Sequence, residues 1–140
     1  MQIVMSSGHG KYVRGAAGPA PWGLDEVNEA RRVVEETAAY LRSVNVQVIT
    51  FHDDISHSQS ENLNRIVNFH NSCSRDLDVS IHFNAFEVTS KPMGTECLYV
   101  TQESLANKVA DKISQAGGFI DRSGKYRGDL AFLNGTEEPS

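Results

Sequence analysis

Scarcity sets the first bounds on this sequence. Two cysteines in 140 residues, Cys73 and Cys97, are too few for a disulfide framework and lack metal-binding spacing. Cys73 falls at a predicted helix end and Cys97 in a predicted strand, so both read as small core or subsurface thiols. A free pair suits a reducing compartment. No apolar run approaches the roughly eighteen residues that a membrane span requires. The chain starts directly on a strand-like segment, Met1-Gln2-Ile3-Val4-Met5, without the basic and apolar regions of a Sec signal. Synthesis in the cytoplasm without a signal peptide is therefore expected, with export by another route if the target lies outside. Basic residues are also short: 13 Lys and Arg against 18 Asp and Glu leave a net charge of −5. That balance argues against nucleic acid, which needs clustered cations for counterion release. Arg31-Arg32 reads as a solvated helix face, and Lys125-Tyr126-Arg127 is too short to make a basic patch. Internal repeats and low-complexity tracts are missing too.

What is present is an alternation of strand and helix patterns, predicting a single α/β domain. Its architecture is a mostly parallel twisted sheet with helices on both faces. Residues 2–6 form a first strand, followed by a loop from Gly8 to Leu24 dense in glycine and proline, including Pro19 and Pro21. Asp25 caps a helix to about Ser43, with Val27, Ala30, Val33, Val34, Thr37, Ala38 and Leu41 on one stripe. Val46 to Phe51 is a second strand. Ser58 with Glu61, or Ser60, caps a helix carrying Leu63, Ile66, Val67 and His70 on one side. Leu77 to Phe83 and Gly94 to Val100 are further strands. Ser104 to Ala116 is a helix expected to turn Leu105, Val109 and Ile113 inward. Asp129 to Leu133 reads as the start of a short strand, and only the tail from Asn134 is linker-like.

Ligands of open α/β sheets gather at the carboxyl ends of the strands. The first strand leads there into His9 and the third into His82, and Glu26 opens the helix that starts from the same edge. Two imidazoles and a carboxylate with a free fourth position form the donor set of a hydrolytic zinc site. The helix N-terminus favours the ionised Glu26 that ligation requires. Taken singly, each residue also has a plainer role, the histidines as hydrogen-bonded strand ends and Glu26 as a partner of the helix dipole. His52, beside Asp53 and Asp54, lies on the same edge but reads as a solvated loop group. His57 sits in a Ser-rich turn, and His70 is expected to snorkel from the core. The segment from Ser6 to Lys11 could alternatively cradle a phosphate, although it lacks the glycine spacing and terminal Lys-Ser/Thr of a P-loop.

Several blocks in order carry a family resemblance. They are Ser7-Gly8-His9-Gly10, Gly23-Leu24-Asp25-Glu26, Leu63 to Asn71 with Arg65, Ser80-Ile81-His82-Phe83-Asn84-Ala85, Gly94-Thr95-Glu96, and Arg127 to Asn134. Together they resemble the zinc-dependent N-acetylmuramoyl-L-alanine amidases of the Amidase_3 type. Such domains occur in bacterial autolysins and in phage or prophage endolysins, and the wording is nearest to endolysins of Gram-positive hosts. The resemblance implies hydrolysis of the amide between N-acetylmuramic acid and L-alanine of the peptidoglycan stem. It implies one Zn2+ held by His9, Glu26 and His82, with Asn84 close by to orient ligands or substrate. In that family a catalytic glutamate lies on a strand a few residues after a proline; here Pro139 and Ser140 close the sequence. Glu137 and Glu138 precede the proline and do not match that position. The expectation is thus a catalytic domain over residues 1–140 that lacks its final strand and helix. Its general base would lie beyond Ser140, so it would fold around zinc but cleave cell walls weakly or not at all. In a full-length protein a C-terminal wall-binding domain is expected, with action at the bacterial cell wall after lysis or non-Sec release.

Other functions remain open from the sequence. A non-catalytic cell-wall binding module could use the same cleft, and an anion-binding domain could use the loop at Gly8 to Gly10. Within hydrolases, a glycosidase would place two acids about 5–9 Å apart without a metal. A metal-dependent carboxypeptidase would share the ligand set.

Overall fold

The computed structural model describes residues 1–18, 23–84, 93–137 and 139–140. Pro19 and Pro21 of the long loop, Ala85 of the Ser-Ile-His block, and Glu138 lie outside them. In chain order the elements are β1 (Gln2–Ser7), α1 (Glu26–Ser43), β2 (Gln47–Phe51), α2 (Gln59–Ser72) and β3 (Leu77–Ile81). They continue with β4 (Thr95–Tyr99), α3 (Glu103–Gly117), β5 (Asp121–Tyr126) and α4 (Ala131–Gly135).

The uninterrupted apolar run Ile3-Val4-Met5 suits a strand covered on both faces. It occupies the centre of a parallel sheet ordered β2-β1-β3, with Met5 in register with Thr50 and Val79. Ile3 and Met5 pack on Val34 and Ala38 of α1. One residue on, Ser6 points the other way and meets His70 of α2. Helices therefore cover both faces, and the strand's alternation assigns which.

The two helix starts follow their capping chemistry. Asp25 accepts a hydrogen bond from the Asn28 N–H and begins α1, whose buried residues Val27, Ala30, Val34 and Ala38 form the predicted stripe. Each buried valine contributes roughly 1.5–3 kcal/mol relative to exposure. Ser58 caps α2 in a reciprocal box with Glu61. Ser58→Ala should cost about 1 kcal/mol, read by urea unfolding at neutral pH. A null result there would mean the box is dispensable.

The second half corrects three expectations. Residues Asp129 to Leu133 do not start a strand; a turn leads into the short helix α4. The last strand is instead β5, whose polar sequence Asp-Arg-Ser-Gly-Lys-Tyr carries no apolar alternation. Leu105, Val109 and Ile113 of α3 face solvent, and Ala106 and Ala110 are the residues buried. Close packing explains the switch. A Cβ on Gly124 of β5 would already press on Ala106, so only a small-residue face of α3 can lie on the ribbon.

β4 and β5 form a separate parallel pair with a register shift between Thr95 and Cys97. Pro139 and Ser140 lie between the two sheets. The Asp78 N–H donates to the Pro139 carbonyl, and the N–H groups of Val100 and Thr101 donate to that of Ser140.

Candidate metal centre

Parallel pairing brings the carboxyl ends of β1 and β3 to one rim, and the segments that follow them supply both histidines. The Gly8 N–H donates to Ile81 O at 2.9 Å, tying the β1 exit to the β3 exit. The Lys11 N–H donates to Asp53 O at 2.8 Å and anchors the next stretch. Asp53 is itself fixed by Asn62, Arg65 and the backbone of Ile55 and Ser56. Burial alone would raise its carboxyl, yet these donors hold it down at about 2.

His9, Glu26 and His82 meet on this rim, each offering a ligand atom within 4.8 Å of the others. The imidazole rings of His9 and His82 stand edge-on with centroids 5.2 Å apart. Glu26 Oε1 lies 3.5 Å from His9 Nε2 and 3.1 Å from His82 Nδ1. The same oxygen accepts from the Phe83 N–H at 3.1 Å, and Oε2 accepts from the Ala16 N–H at 2.6 Å. Burial pushes the Glu26 carboxyl up, but bonds from His82, Ala16 and Phe83 outweigh it and leave the group below its ordinary range. Glu26 is therefore ionised at neutral pH. Burial is the largest influence on His9 and lowers it, which favours the neutral imidazole that a metal needs.

Three observations fit a divalent cation here. The donor set is the N, N, O combination of hydrolytic zinc sites. The buried Nδ1 of His9 has no hydrogen-bond partner among the described residues. Gly8 and Gly15 are the only residue type their positions accept: a Cβ on Gly8 would overlap the His82 ring, and one on Gly15 would overlap the Glu26 carboxylate. The chain has been cleared to let three polar groups crowd together.

Asn84 lines a small cleft that shares Glu26 with this cluster. Glu137 is elsewhere. Its backbone N–H donates to Asn71 near the C-terminal end of α2, at the opposite rim of the sheet.

Two supports were not evident in the sequence. The backbone N–H groups of Ala16 and Phe83 aim Glu26, and backbone donors leave no residue-type signature. Ser7 Oγ, buried, donates to His9 O at 3.2 Å and lies 3.0 Å from His52 Nδ1, while His52 Nε2 is 3.1 Å from Glu35. His52 is thus a half-buried brace for the His9 backbone, not the solvated group expected. His70 is a second correction. It does not snorkel; it is fully buried, with Nδ1 2.6 Å from Asp78 and Nε2 3.0 Å from Ser6. His57, the last of the five, stacks on Tyr12.

Fold and site define an α/β domain with a His/Glu/His candidate metal centre at the carboxyl rim of a parallel sheet. The sequence matches the Amidase_3 family, N-acetylmuramoyl-L-alanine amidase, over residues 3–140, and the chain belongs to it. Solved structures agree at the level of fold. An N-acetylmuramoyl-L-alanine amidase from Clostridium difficile 630 superposes with a TM-score of 0.82 at 22% identity, over 99% of this chain and 75% of that one. The CwlD amidase of Clostridioides difficile, solved with the GerS lipoprotein, gives 0.81 at 24%, over 99% and 78%. The catalytic domain of the CD27L endolysin targeting Clostridia Difficile gives 0.79 at 22%, over 99% and 77%. No curated protein matches the sequence.

Proposed function

We propose that this domain is a zinc-dependent hydrolase of the amide between N-acetylmuramic acid and L-alanine in peptidoglycan, with His9, Glu26 and His82 as the metal ligands. The observation that carries the reading is the convergence of those three groups within 4.8 Å at the carboxyl rim of the sheet. Zinc, when bound, supplies Lewis-acid polarisation of an amide carbonyl and activation of water. The chain's own residues do the rest. Ala16 and Phe83 hold the Glu26 carboxylate in place, Ser7 and His52 fix the backbone at His9, and the partly exposed His82 leaves one side of the site open to substrate. Asn84, on the cleft wall, orients the incoming peptide.

The domain acts at the bacterial cell wall. Its acidic charge gives little bulk attraction to an anionic surface, which supports delivery by a separate wall-binding module. Among the described residues no helix is long and apolar enough to cross a membrane.

Bound zinc per chain, measured on wild type and His82→Ala after reconstitution, tests the metal. One equivalent in the first and well under one in the second are expected; an empty wild type would end the proposal. New L-alanine N-termini released from purified peptidoglycan test the reaction. Co-sedimentation with the wall but no release, even at long incubation and high protein, would instead favour a binding module.

A further inference from the structure

Beside Glu26 lies a cleft of about 190 Å³ whose construction the metal centre does not explain. One wall is a short antiparallel ribbon. The Glu26 N–H donates to Ala16 O, Ala17 bridges Asp25, and the Gly18 N–H donates to Leu24 O. Its residues on the cleft side are the smallest available: Ala16, Ala17 and Gly18. Leu24 and Phe83 form the rim, 62% and 38% exposed. A single exposed leucine needs no explanation. Two large apolar side chains converging on one hollow beside a reactive centre are the usual build of a ligand site.

The polar groups narrow the occupant. Both Glu26 oxygens are already engaged by Ala16, Phe83 and His82, so among the described residues Asn84 is the only lining side chain left with polar atoms to offer. Its modest volume and largely apolar lining suit a short methyl-branched unit with one amide at the rim.

We infer that this cleft seats the methyl-branched carbon flanking the scissile amide, and that Leu24 and Phe83 set the selectivity for it. The inference rests on the amidase reading above. Two methyl groups answer the description, that of L-alanine and that of the lactyl ether of muramic acid, and the same experiment separates them.

Binding needs no turnover, so calorimetry on the zinc-loaded 140-residue chain is suitable. Three soluble ligands serve as probes: a muramoyl-L-alanyl-D-isoglutamine fragment, its glycyl analogue, and an analogue with glycolyl in place of lactyl. Losing the seated methyl should weaken binding about tenfold, the lower end for one methyl in an apolar pocket. The analogue that suffers identifies which methyl is seated. In Leu24→Ala the difference should shrink to under about threefold. Ala17→Leu, which fills the hollow, should weaken the parent fragment at least about tenfold with zinc content unchanged. Equal affinity for all three ligands in wild type, or a tenfold difference that survives Leu24→Ala, would overturn the cleft assignment and leave the amidase reading standing. A zinc-loaded chain that binds none of the three would overturn both.

Discussion

Asp78→Ala is expected to destabilise the domain by about 3–5 kcal/mol, the cost of removing one partner of a buried ion pair. Asp78 is fully buried and accepts from Arg75 Nε at 2.9 Å and from Arg75 Nη2 at 3.0 Å. Across the same carboxylate sits His70 Nδ1 at 2.6 Å, which must carry a proton because a carboxylate only accepts. Ser6 closes the chain on Nε2. One buried network therefore staples α2 to β1 and β3, and its arginine reaches on to Asn71, whose side chain donates to Gly135. Alanine at position 78 takes the shared carboxylate from the Arg75 guanidinium and the His70 imidazole at once, although Arg75 keeps its bonds to Asn71 and Cys73. Against a total of about 5–15 kcal/mol for a domain, that is a large fraction. Urea unfolding should show it directly, as a lower midpoint at unchanged slope. Ser6→Ala should cost only about 1–3 kcal/mol, since it removes a single hydroxyl partner from His70 Nε2. Similar losses in the two variants would mean that the charge at Asp78 contributes nothing beyond a hydrogen bond.

The same carboxylate gives the acid response its sign. Burial pushes Asp78 up, but His70 and Arg75 bring it below the ordinary carboxylate range, and Asp53 stands at about 2. A group whose folded pKa is depressed stabilises the fold above its unfolded value, near 4, and loses that contribution as pH falls through the folded value. Stability should therefore decline between about pH 4 and pH 2, and Asp78→Ala should flatten part of that limb. An acid limb unchanged in the variant would mean that Asp78 plays no part in the acid response.

How much of this was readable in the sequence depended on the range of the interactions. The starts of α1 and α2 were legible because Asp25 and Ser58 act on N–H groups three residues away. The positions of His9, Glu26 and His82 were legible because strand ends in a parallel sheet share a rim, and topology alone brings them to it. The network around His70 was not, since its partners lie 8 and 64 residues distant and a lone histidine on an apolar helix face looks the same with or without them. β5 escaped because it lies largely exposed in a two-stranded ribbon, so no alternation was imposed on it. For α3 the pattern misled: the large aliphatics define a stripe, but close approach to Gly124 selects the alanines beside it. Size complementarity decided that face, and binary patterning does not carry size.

Gly8→Ala is expected to abolish metal binding while sparing the fold, and it separates the roles of backbone and ligand in the centre. Gly8 is buried and its N–H is committed to Ile81 O, so the main chain cannot retreat from an added methyl. The His82 ring stands where that methyl would go. Its side chain is 40% exposed, so it can swing outward at little cost, taking a ligand nitrogen with it. Changes outside the ligand set typically cost 10–100-fold in metal affinity. Displacing a ligand outright should exceed about a hundredfold, with the midpoint of the metal-free protein lowered by only a few degrees. Gly15→Ala meets a different obstacle. Its methyl collides with Glu26 Oε2, which is fixed by the Ala16 N–H at 2.6 Å and cannot step aside. Relief there must come from the loop itself, so zinc affinity and metal-free stability should fall together. Competitive zinc titration paired with thermal unfolding distinguishes the two patterns. Wild-type affinity in Gly8→Ala would show that His82 holds no metal, since no rotamer can keep both the methyl and the observed ring position.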